Sequence, residues 1–357
     1  MPLARNFRRW CGAGAMAFAA SLPVAPAVAE KPMTALEGLT PTTVTAVPID
    51  FDRDNPGRRE FGKLIFRSGL NLYAKSRHFG GFSGLALDSS GATLLAISDA
   101  GSWMRATLDY DGRRLKGLRD AVLGSVLGDD GQPLSDDAAR DSEGMTIVGG
   151  DTSKGTAYVS FERRHRIGRY PFNAERFGPP SGMVPLPPGA KSMVANRGIE
   201  AMALIRAGKL KGTLLAFTEG RVDKNDNVQG WLIGGPTPGN IRLKRLGGFD
   251  ITDAAGLPDG GVILLERRFR FSEGIKMRIR HIAARELKRG AVVRGEVLLE
   301  ADDRLNIDNM EAIAAHRGAS GETVLTLMSD DNFSPLQRTL IMQFTLPGEP
   351  VAAGAPN

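Results

Sequence analysis

The sequence predicts an all-β protein, a β-propeller of five blades, and two observations carry this prediction. First, five segments share one design, in which a polar or acidic residue, an apolar run, a glycine-rich turn, a second apolar run and an acid follow one another. Second, the apolar runs are four to six residues long and are flanked by Gly, Asp and Asn, as is typical of strands joined in hairpins. Successive units lie 60, 57, 53 and 58 residues apart, a spacing that suits four-stranded blades.

The five units can be followed along the chain by the run that opens each of them. They begin with "FSGLAL" at Phe82, "SEGMTIV" at Ser142, "IEAMAL" at Ile199, "ITDAAG" at Ile251 and "MEAIAA" at Met310. Further strand-like pieces follow each hairpin, such as "RIGRYPF" and "GMVPLP" in the second unit. We therefore expect each unit to form one blade, with the opening run as its first strand.

The fifth unit is one strand short, because the chain after "RTLIMQFTLP" continues only as "GEPVAAGAPN". The segment "GKLIFRSGLNLYA" at residues 62–74 lies before the first unit and has the pattern of the missing strand. We expect this N-terminal strand to complete the last blade, which would close the ring and leave no free sheet edge. A sixth blade built from "TVTAVPIDFD" stays open as an alternative.

The beginning of the chain resembles an export signal. Arg5, Arg8 and Arg9 precede an alanine-rich apolar run that ends in "AVA", a small-residue cleavage site. We expect a periplasmic or secreted protein, and the arginine pair leaves the route open between Sec and twin-arginine export. The predicted organisation is a signal peptide at 1–29, a flexible tail at 30–41, the propeller domain at 42–347 and a second flexible tail at 348–357.

Composition excludes several classes of function. The formal charge of +6 falls to about +3 once the three signal arginines are removed, and no basic stripe remains that would favour nucleic acid. No later segment approaches the roughly 20 apolar residues of a membrane span. The only cysteine, Cys11, lies in the signal, and the four histidines show no ligand spacing. We expect a monomer that acts on a small molecule.

Carboxylates recur at two positions of the aligned units. The first strand of a hairpin starts at the same end of the sheet at which the second strand finishes. An acid before the first strand and an acid after the second should therefore lie side by side. Because the first strand of each blade lines the central channel, nine carboxylates are expected around one mouth, with Ser83 at the tenth position. The nine are Glu143, Glu200, Asp253 and Glu311 before the first strand, and Asp99, Glu162, Glu219, Glu266 and Asp330 after the second.

Such a ring of acids requires positive charge nearby. Two charges ~4 Å apart repel by about 4 kcal/mol even at an effective dielectric of ~20. Ca²⁺, which takes 6–8 oxygen ligands, would compensate this repulsion, and Arg163, Arg221 and Arg267 follow acids closely enough to clamp the oxyanions of a substrate. Any single acid could instead satisfy turn N–H groups or pair with a neighbouring arginine. For the whole set a functional ring is favoured, because the second position is acidic in all five units.

These segments resemble a known family. "FSGLALD", "DSEGMTIV", "SFERR", "LLAFTEG" and "SDDN" are similar to motifs of the phytase-like domain family, also named esterase-like activity of phytase, over residues 61–346. The resemblance implies a propeller fold, an exported location and calcium-assisted hydrolysis of phosphate or other esters. It also implies a metal-binding role for seven acids, namely Asp99, Glu143, Glu162, Glu200, Glu219, Glu311 and Asp330. The fourth unit departs from the pattern with "DITDAAG", which leaves Asp253 and Glu266 in doubt as ligands.

The function expected from the sequence is metal-dependent hydrolysis of an anionic, phosphorylated ester at the channel mouth. Glu143 or Glu200 would act as the general base. One alternative is a non-catalytic propeller that binds a ligand or partner and carries a structural calcium. Another is a lactonase-type propeller acting on a neutral ester, which the lack of a histidine base near the ring disfavours. Fold alone does not decide among these functions.

Overall fold

The computed structural model describes residues 35–36, 38–190, 193 and 197–347. The predicted signal peptide, the second tail and half of the first tail lie outside the described residues, and the signal peptide and second tail stay predictions. Within the described part of the chain the helical segments are short, namely α1 (Asp137–Arg140) and 3-10 turns at Gly208–Leu210 and Ala284–Glu286. None of the described helices is long and apolar enough to cross a membrane.

Twenty-three β-strands account for most of the described residues. The first twelve are β1 (Thr40–Pro41), β2 (Val44–Ile49), β3 (Glu60–Phe61), β4 (Leu64–Ala74), β5 (Phe82–Leu87), β6 (Thr93–Ser98), β7 (Ser102–Asp111), β8 (Arg114–Ser125), β9 (Ser142–Gly150), β10 (Gly155–Phe161), β11 (Arg166–Phe172) and β12 (Ile199–Leu204). The others are β13 (Leu214–Val222), β14 (Asn227–Ile233), β15 (Gly239–Lys244), β16 (Asp250–Gly256), β17 (Val262–Arg270), β18 (Gly274–Ile282), β19 (Val292–Val293), β20 (Glu296–Asp302), β21 (Met310–Arg317), β22 (Thr323–Ser329) and β23 (Thr339–Leu346).

The strands form five sheets, and each sheet is one blade. From the centre outward the strand orders are β5-β6-β7-β8-β1, β9-β10-β11, β12-β13-β14-β15-β19, β16-β17-β18-β20 and β21-β22-β23-β4-β2. The five inner strands contact one another in chain order and β21 returns to β5, so the ring is closed. The fold is the five-bladed β-propeller that the sequence predicts.

The ring closes through the fifth blade. β4, from the N-terminal side of the chain, pairs antiparallel with β23, so that Ile341 lies opposite Leu70. This confirms the predicted closure by residues 62–74. The segment "TVTAVPIDFD" does not build a sixth blade; its strand β2 adds to the outer edge of the fifth blade by pairing with β4.

Two further details differ from the expectation. "GMVPLP" is not a strand of the second blade: only an isolated bridge joins Met183 to Gly168, because Pro185 and Pro187 have no N–H to donate to a ladder. Thr40 and Pro41, assigned from the sequence to the flexible tail, pair with β8 as strand β1. The ordered propeller therefore begins before residue 42.

The hydrophobic core is divided among the interfaces between blades. Each of its five described clusters contains buried side chains from two neighbouring blades. Between the fourth and fifth blades the cluster is aromatic, with the Phe51 ring centred 4.7 Å from Phe61 and 5.0 Å from Phe344. Side chains from alternate positions of the strands fill these interfaces, which leaves the strand ends free to form the mouth.

Candidate acidic site at the channel mouth

The inner strand of every blade has a β-bulge at its start. In the second blade Ser142 lies opposite Phe161 and Gly144 lies opposite Ser160, so Glu143 has no residue opposite it. A bulge interrupts the alternation of side chains and re-aims one of them. The five bulged residues are Ser83, Glu143, Glu200, Thr252 and Glu311, and all five line one cavity.

A second set of side chains reaches the same cavity from the second strand of each blade or the residue that follows it. The residues are Asp99, Glu162, Glu219, Arg267 and Asp330. In four blades a repeated backbone hydrogen bond holds this residue: for example, the N–H of Glu162 donates to the Asp141 carbonyl at 3.0 Å, and that of Asp330 to the Asn309 carbonyl at 2.8 Å. The bulge and the hairpin end therefore bring ten equivalent positions together, two from each blade.

The mouth contains seven of the nine predicted carboxylates, because the alignment of the fourth unit is wrong by one residue. Ile251 pairs with Glu266 and Asp253 pairs with Leu265, so Thr252 is the bulged residue of this blade. The second position of this blade is likewise occupied by Arg267 instead of Glu266. The fourth blade thus supplies a hydroxyl and a guanidinium where an all-acidic ring predicts two acids.

Asp253 and Glu266 have structural partners elsewhere. Asp253 is fully buried between the fourth and fifth blades, where it accepts hydrogen bonds from the N–H groups of Ala254 at 2.7 Å and Ile313 at 2.8 Å. Glu266 pairs with the buried Arg280 at 3.0 Å. Both carboxylates are therefore parts of the scaffold, as the departure of "DITDAAG" from the family pattern suggests.

Ser83 and Thr252 also stabilise the ring. The Ser83 hydroxyl donates to the carbonyl of Ser142 in the next blade at 2.6 Å, and the Thr252 hydroxyl donates to the carbonyl of Met310 at 3.2 Å. These hydroxyls join neighbouring inner strands. The two bulge positions without an acid are thus occupied by residues that hold adjacent blades together.

The cavity has a volume of about 500 Å³. It is lined by the ten positions above and by Asp141, Ile251, Phe269, Ile275, Asn309, Asn332 and Gln337. Eight lining residues are carboxylates and one, Arg267, is basic. Every residue to which the family resemblance assigns a metal-binding role lies in this cavity.

The sequence did not single out Asp141, although it stands in the quoted "DSEG". Its carboxylate forms a compact group with those of Glu143 and Glu162, and one oxygen from each of the three lies within 4.8 Å of the others. Comparison of the repeats could not identify it, because the equivalent residues include Gly81, Gly198 and Asn309. The feature that marks it is its place two residues before a bulged glutamate.

Burial and mutual repulsion raise the pKa values of these acids. Burial, and then the charges of neighbouring carboxylates, hold the pKa of Glu143 and of Glu200 well above the usual range, and the two carboxyl groups share a hydrogen bond. Burial raises the pKa of Glu162 and of Glu311 to about 7 and that of Asp330 to about 6. The cavity therefore holds more negative groups than it can ionise without added positive charge.

The donor set fits a hard cation. All polar lining atoms are oxygens or nitrogens of carboxylate, hydroxyl, amide and guanidinium groups, and no histidine or cysteine is among the described lining residues. Carboxylate oxygens in this number are the ligands that Ca²⁺ takes. One buried carboxylate oxygen, Oδ1 of Asp99, lacks a hydrogen-bond partner among the described residues, as expected for a group that meets a cation.

The three arginines predicted to clamp a substrate have different surroundings. Arg267 lines the cavity, and its Nε lies 3.0 Å from Oε1 of Glu311. Arg163 is not among the lining residues; its Nε lies 2.7 Å from Oδ2 of Asp141, and its backbone is left-handed (φ 49°). Arg221 does not line the cavity and donates to the Gly189 carbonyl at 2.7 Å. Arg267 is therefore the arginine of the three that borders the cavity.

The glycine of "DSEG" sets the approach of the second and third blades. A Cβ atom on Gly144 would lie 2.5 Å from the backbone carbonyl oxygen of Glu200, closer than real Cβ contacts permit. Glycine therefore allows the two inner strands to approach at the point where Glu143 and Glu200 meet. The motif residue positions both carboxylates without contacting a ligand itself.

Comparison with known proteins identifies the family of this chain. A solved α-L-arabinofuranosidase from Podospora anserina, in complex with cellotriose, is 11% identical, with a TM-score of 0.39 over 76% of this chain and 93% of that one. The β-propeller domain of Cps50 (Swd1) from Myceliophteria thermophila is 9% identical, with a TM-score of 0.37 over 86% of this chain and 100% of that one. No curated protein matches in sequence. The model of the family described as Phytase-like, esterase-like activity of phytase, matches residues 77–333, and the chain belongs to that family.

Proposed function

We propose that this protein is a metal-dependent hydrolase of an anionic, phosphorylated small-molecule ester, and that the reaction takes place in the mouth cavity. The observation that carries the proposal is the gathering of eight carboxylates and one arginine in about 500 Å³. The description of the family, esterase-like activity of phytase, supports ester hydrolysis as the reaction class.

Asp141, Glu143 and Glu162 would hold the cation, because one oxygen of each lies within 4.8 Å of the others. When bound, Ca²⁺ would supply the positive charge that neutralises these carboxylates and polarises the ester. Ca²⁺ is the ion proposed because the lining offers oxygen ligands and because such sites tolerate many carboxylates.

Glu200 would act as the general base. It shares a hydrogen bond with Glu143, and its raised pKa follows from burial and from the charges of Glu219 and Glu162. A carboxylate whose pKa is raised accepts a proton more readily near neutral pH. With Glu143 engaged at the cation, Glu200 is the adjacent carboxylate left to take a proton from water.

Arg267 would orient the substrate. Its guanidinium faces the acids from the fourth blade, the position at which the ring departs from the acidic pattern. A planar guanidinium matches two oxygens of a phosphate group, and the partner it now has, Glu311, is itself buried and crowded by Asp330. We also propose that the protein works in the periplasm or outside the cell, as the signal predicted at residues 1–29 implies.

A panel of substrates and metals tests the function. The purified protein, depleted of metal with a chelator, is assayed on p-nitrophenyl phosphate, bis-p-nitrophenyl phosphate, p-nitrophenyl acetate and a lactone, with Ca²⁺, Mg²⁺, Mn²⁺ or Zn²⁺ added back. We expect turnover of the phosphate monoester to require Ca²⁺. Turnover of none of the four substrates, with Ca²⁺ raising only the Tm, would refute hydrolysis and favour a binding propeller.

Variants separate the roles of the two glutamates. Glu143→Gln should weaken Ca²⁺ binding, measured by calorimetry, together with kcat. Glu200→Gln should lower kcat by about 100-fold or more while the Ca²⁺ affinity changes less. Glu175→Gln, at an exposed turn of the second blade, is the matched control and should change neither quantity. Equal effects of Glu143→Gln and Glu200→Gln on both readouts would contradict the division of roles.

A further inference from the structure

The β17–β18 hairpin of the fourth blade continues past the acidic ring. β17 runs three residues beyond Arg267, to Arg270, and β18 begins at Gly274. In this extension Phe269 lies directly opposite Ile275 across the two strands. The hairpin therefore brings an aromatic–aliphatic pair to the rim of a cavity whose other walls are mainly acidic.

The two faces of the hairpin differ in chemistry. Arg267, Phe269 and Ile275 line the cavity, whereas Arg268 and Lys276, also opposite one another, lie on the other face. Phe269 is 64% exposed although it borders the cavity. A large apolar ring held in water beside a ligand-sized cavity gains stabilisation when a ligand covers it.

Charged contacts brace the hairpin, so the position of Phe269 is built into the fold. Glu273 at the turn forms ion pairs with Arg268, Arg270 and Lys276, those of Arg270 and Lys276 at 2.8 and 2.9 Å. Arg268 also donates to the Gly247 carbonyl at 2.7 Å. This network fixes the strand pair from the face that points away from the cavity.

We infer that Phe269 and Ile275 form an apolar subsite that takes the ring of an aryl phosphate ester, with the anionic group directed towards Arg267 and the carboxylates. This inference rests on the proposed hydrolase function, because it names the substrate class of the same cavity. The third blade lies between the second and fourth blades, so the apolar subsite and the Asp141–Glu143–Glu162 group lie on different sides of the opening. A ligand with both a ring and a phosphate group fits a cavity of about 500 Å³.

Binding of two phosphonates, which resist hydrolysis, tests the subsite apart from catalysis. In the presence of Ca²⁺, we expect calorimetry to give phenylphosphonate an affinity about 10-fold higher than methylphosphonate, the amount that partial burial of one ring provides. Phe269→Ala should abolish this preference and Phe269→Tyr should retain it. Phe271→Ala, which removes a fully exposed ring outside the cavity lining, is the matched control and should leave the preference intact.

The outcomes separate the inference from the proposed function. A ring preference that depends on Phe269, in a protein that hydrolyses no ester, supports the subsite and refutes the hydrolase. Equal or undetectable binding of the two phosphonates by the unaltered protein overturns the inference, whether or not esters are hydrolysed. A preference that survives Phe269→Ala also overturns it, because the ring would then be recognised elsewhere.

Discussion

Without a cation, the protein should lose stability as the pH rises from 5 to 8, which is opposite to the usual behaviour of paired carboxylates. Burial raises the pKa of Glu311 from 4.5 to about 7 and that of Asp330 from 3.8 to about 6 in the folded state. Between the unfolded and folded pKa values the folded protein holds protons that the unfolded chain has released. The stability these two protons provide is complete below the unfolded pKa values and is lost as the pH passes the folded ones.

The structure gives the size of this loss. At about 1.4 kcal/mol per pKa unit, each of the two shifts corresponds to about 3 kcal/mol. Because pH 5 already lies above both unfolded pKa values, only about 2.5 kcal/mol of this for Glu311 and about 1.4 kcal/mol for Asp330 is lost between pH 5 and pH 8. Glu311 and Asp330 repel one another, so their contributions overlap, and we expect a combined loss of about 2–4 kcal/mol in the free energy of unfolding. For a domain of this size the Tm should fall by about 5 °C.

Thermal unfolding in excess chelator, followed by circular dichroism at pH 5, 6, 7 and 8, measures the effect. The range stops at pH 5 because ion-paired acids act in the opposite direction in stronger acid. Glu273 is an example, since its lysine and arginine partners lower its pKa to about 2. Added Ca²⁺ should stabilise the protein more at pH 8 than at pH 5, since it competes with protons for the carboxylates.

A substitution at the site checks the cause. Asp330→Asn should raise the Tm at pH 8 in chelator and flatten its pH dependence, because it removes one negative charge and keeps an acceptor for the Asn332 N–H. Asp111→Asn, at an exposed position of the first blade, is the matched control and should leave the slope unchanged. A Tm that is constant or rises from pH 5 to pH 8 in chelator would refute the reasoning.

Three further predictions concern single residues. Gly144→Ala should destabilise the protein by about 1–3 kcal/mol in denaturant unfolding and weaken Ca²⁺ binding, because the added Cβ would displace the strand that carries Glu200. An unchanged Ca²⁺ affinity would contradict this prediction. Arg267→Ala should raise the KM for a phosphate monoester by about 10-fold or more with a smaller change in kcat, and an unchanged KM would remove Arg267 from substrate binding. Glu266→Gln should cost about 3–5 kcal/mol in denaturant unfolding, since it leaves the buried Arg280 without its carboxylate, while Ca²⁺ affinity per folded molecule stays the same; loss of that affinity would instead place Glu266 in the site.

The fold could be predicted from the sequence because each repeat shows the same alternation of apolar runs and polar turns. Five strand-turn-strand units at near-equal spacing predict five blades, and the shortfall in the last unit identifies residues 62–74 as the closing strand. The same alignment finds seven carboxylates of the mouth. In each of their blades the acid stands at the bulge or at the equivalent position on the second strand side of the hairpin, and the spacing within the hairpin identifies it.

The other site residues could not be predicted because their positions depend on the hydrogen-bond register between strands, which the residue types alone do not show. In the fourth blade two acids stand beside the correct positions, and the alignment selects Asp253 and Glu266, whereas the ladder places Thr252 and Arg267 in the mouth. Asp141 was missed because its equivalents in three of the other blades, Gly81, Gly198 and Asn309, are not acids. Phe269 looks like an ordinary strand residue in the sequence, and only the position of the hairpin shows that it lines the cavity.

The closing strand pairs imply an order of events during folding. β23 lies between β22 and β4, so the fifth blade forms only when nearly the whole described chain is available. Glu311 and Asp330 join the acids of earlier blades at that last step, and an incomplete chain is spared their repulsion. Cation capture by the finished ring is then a late event in maturation, and chains truncated before Thr339 should lack it.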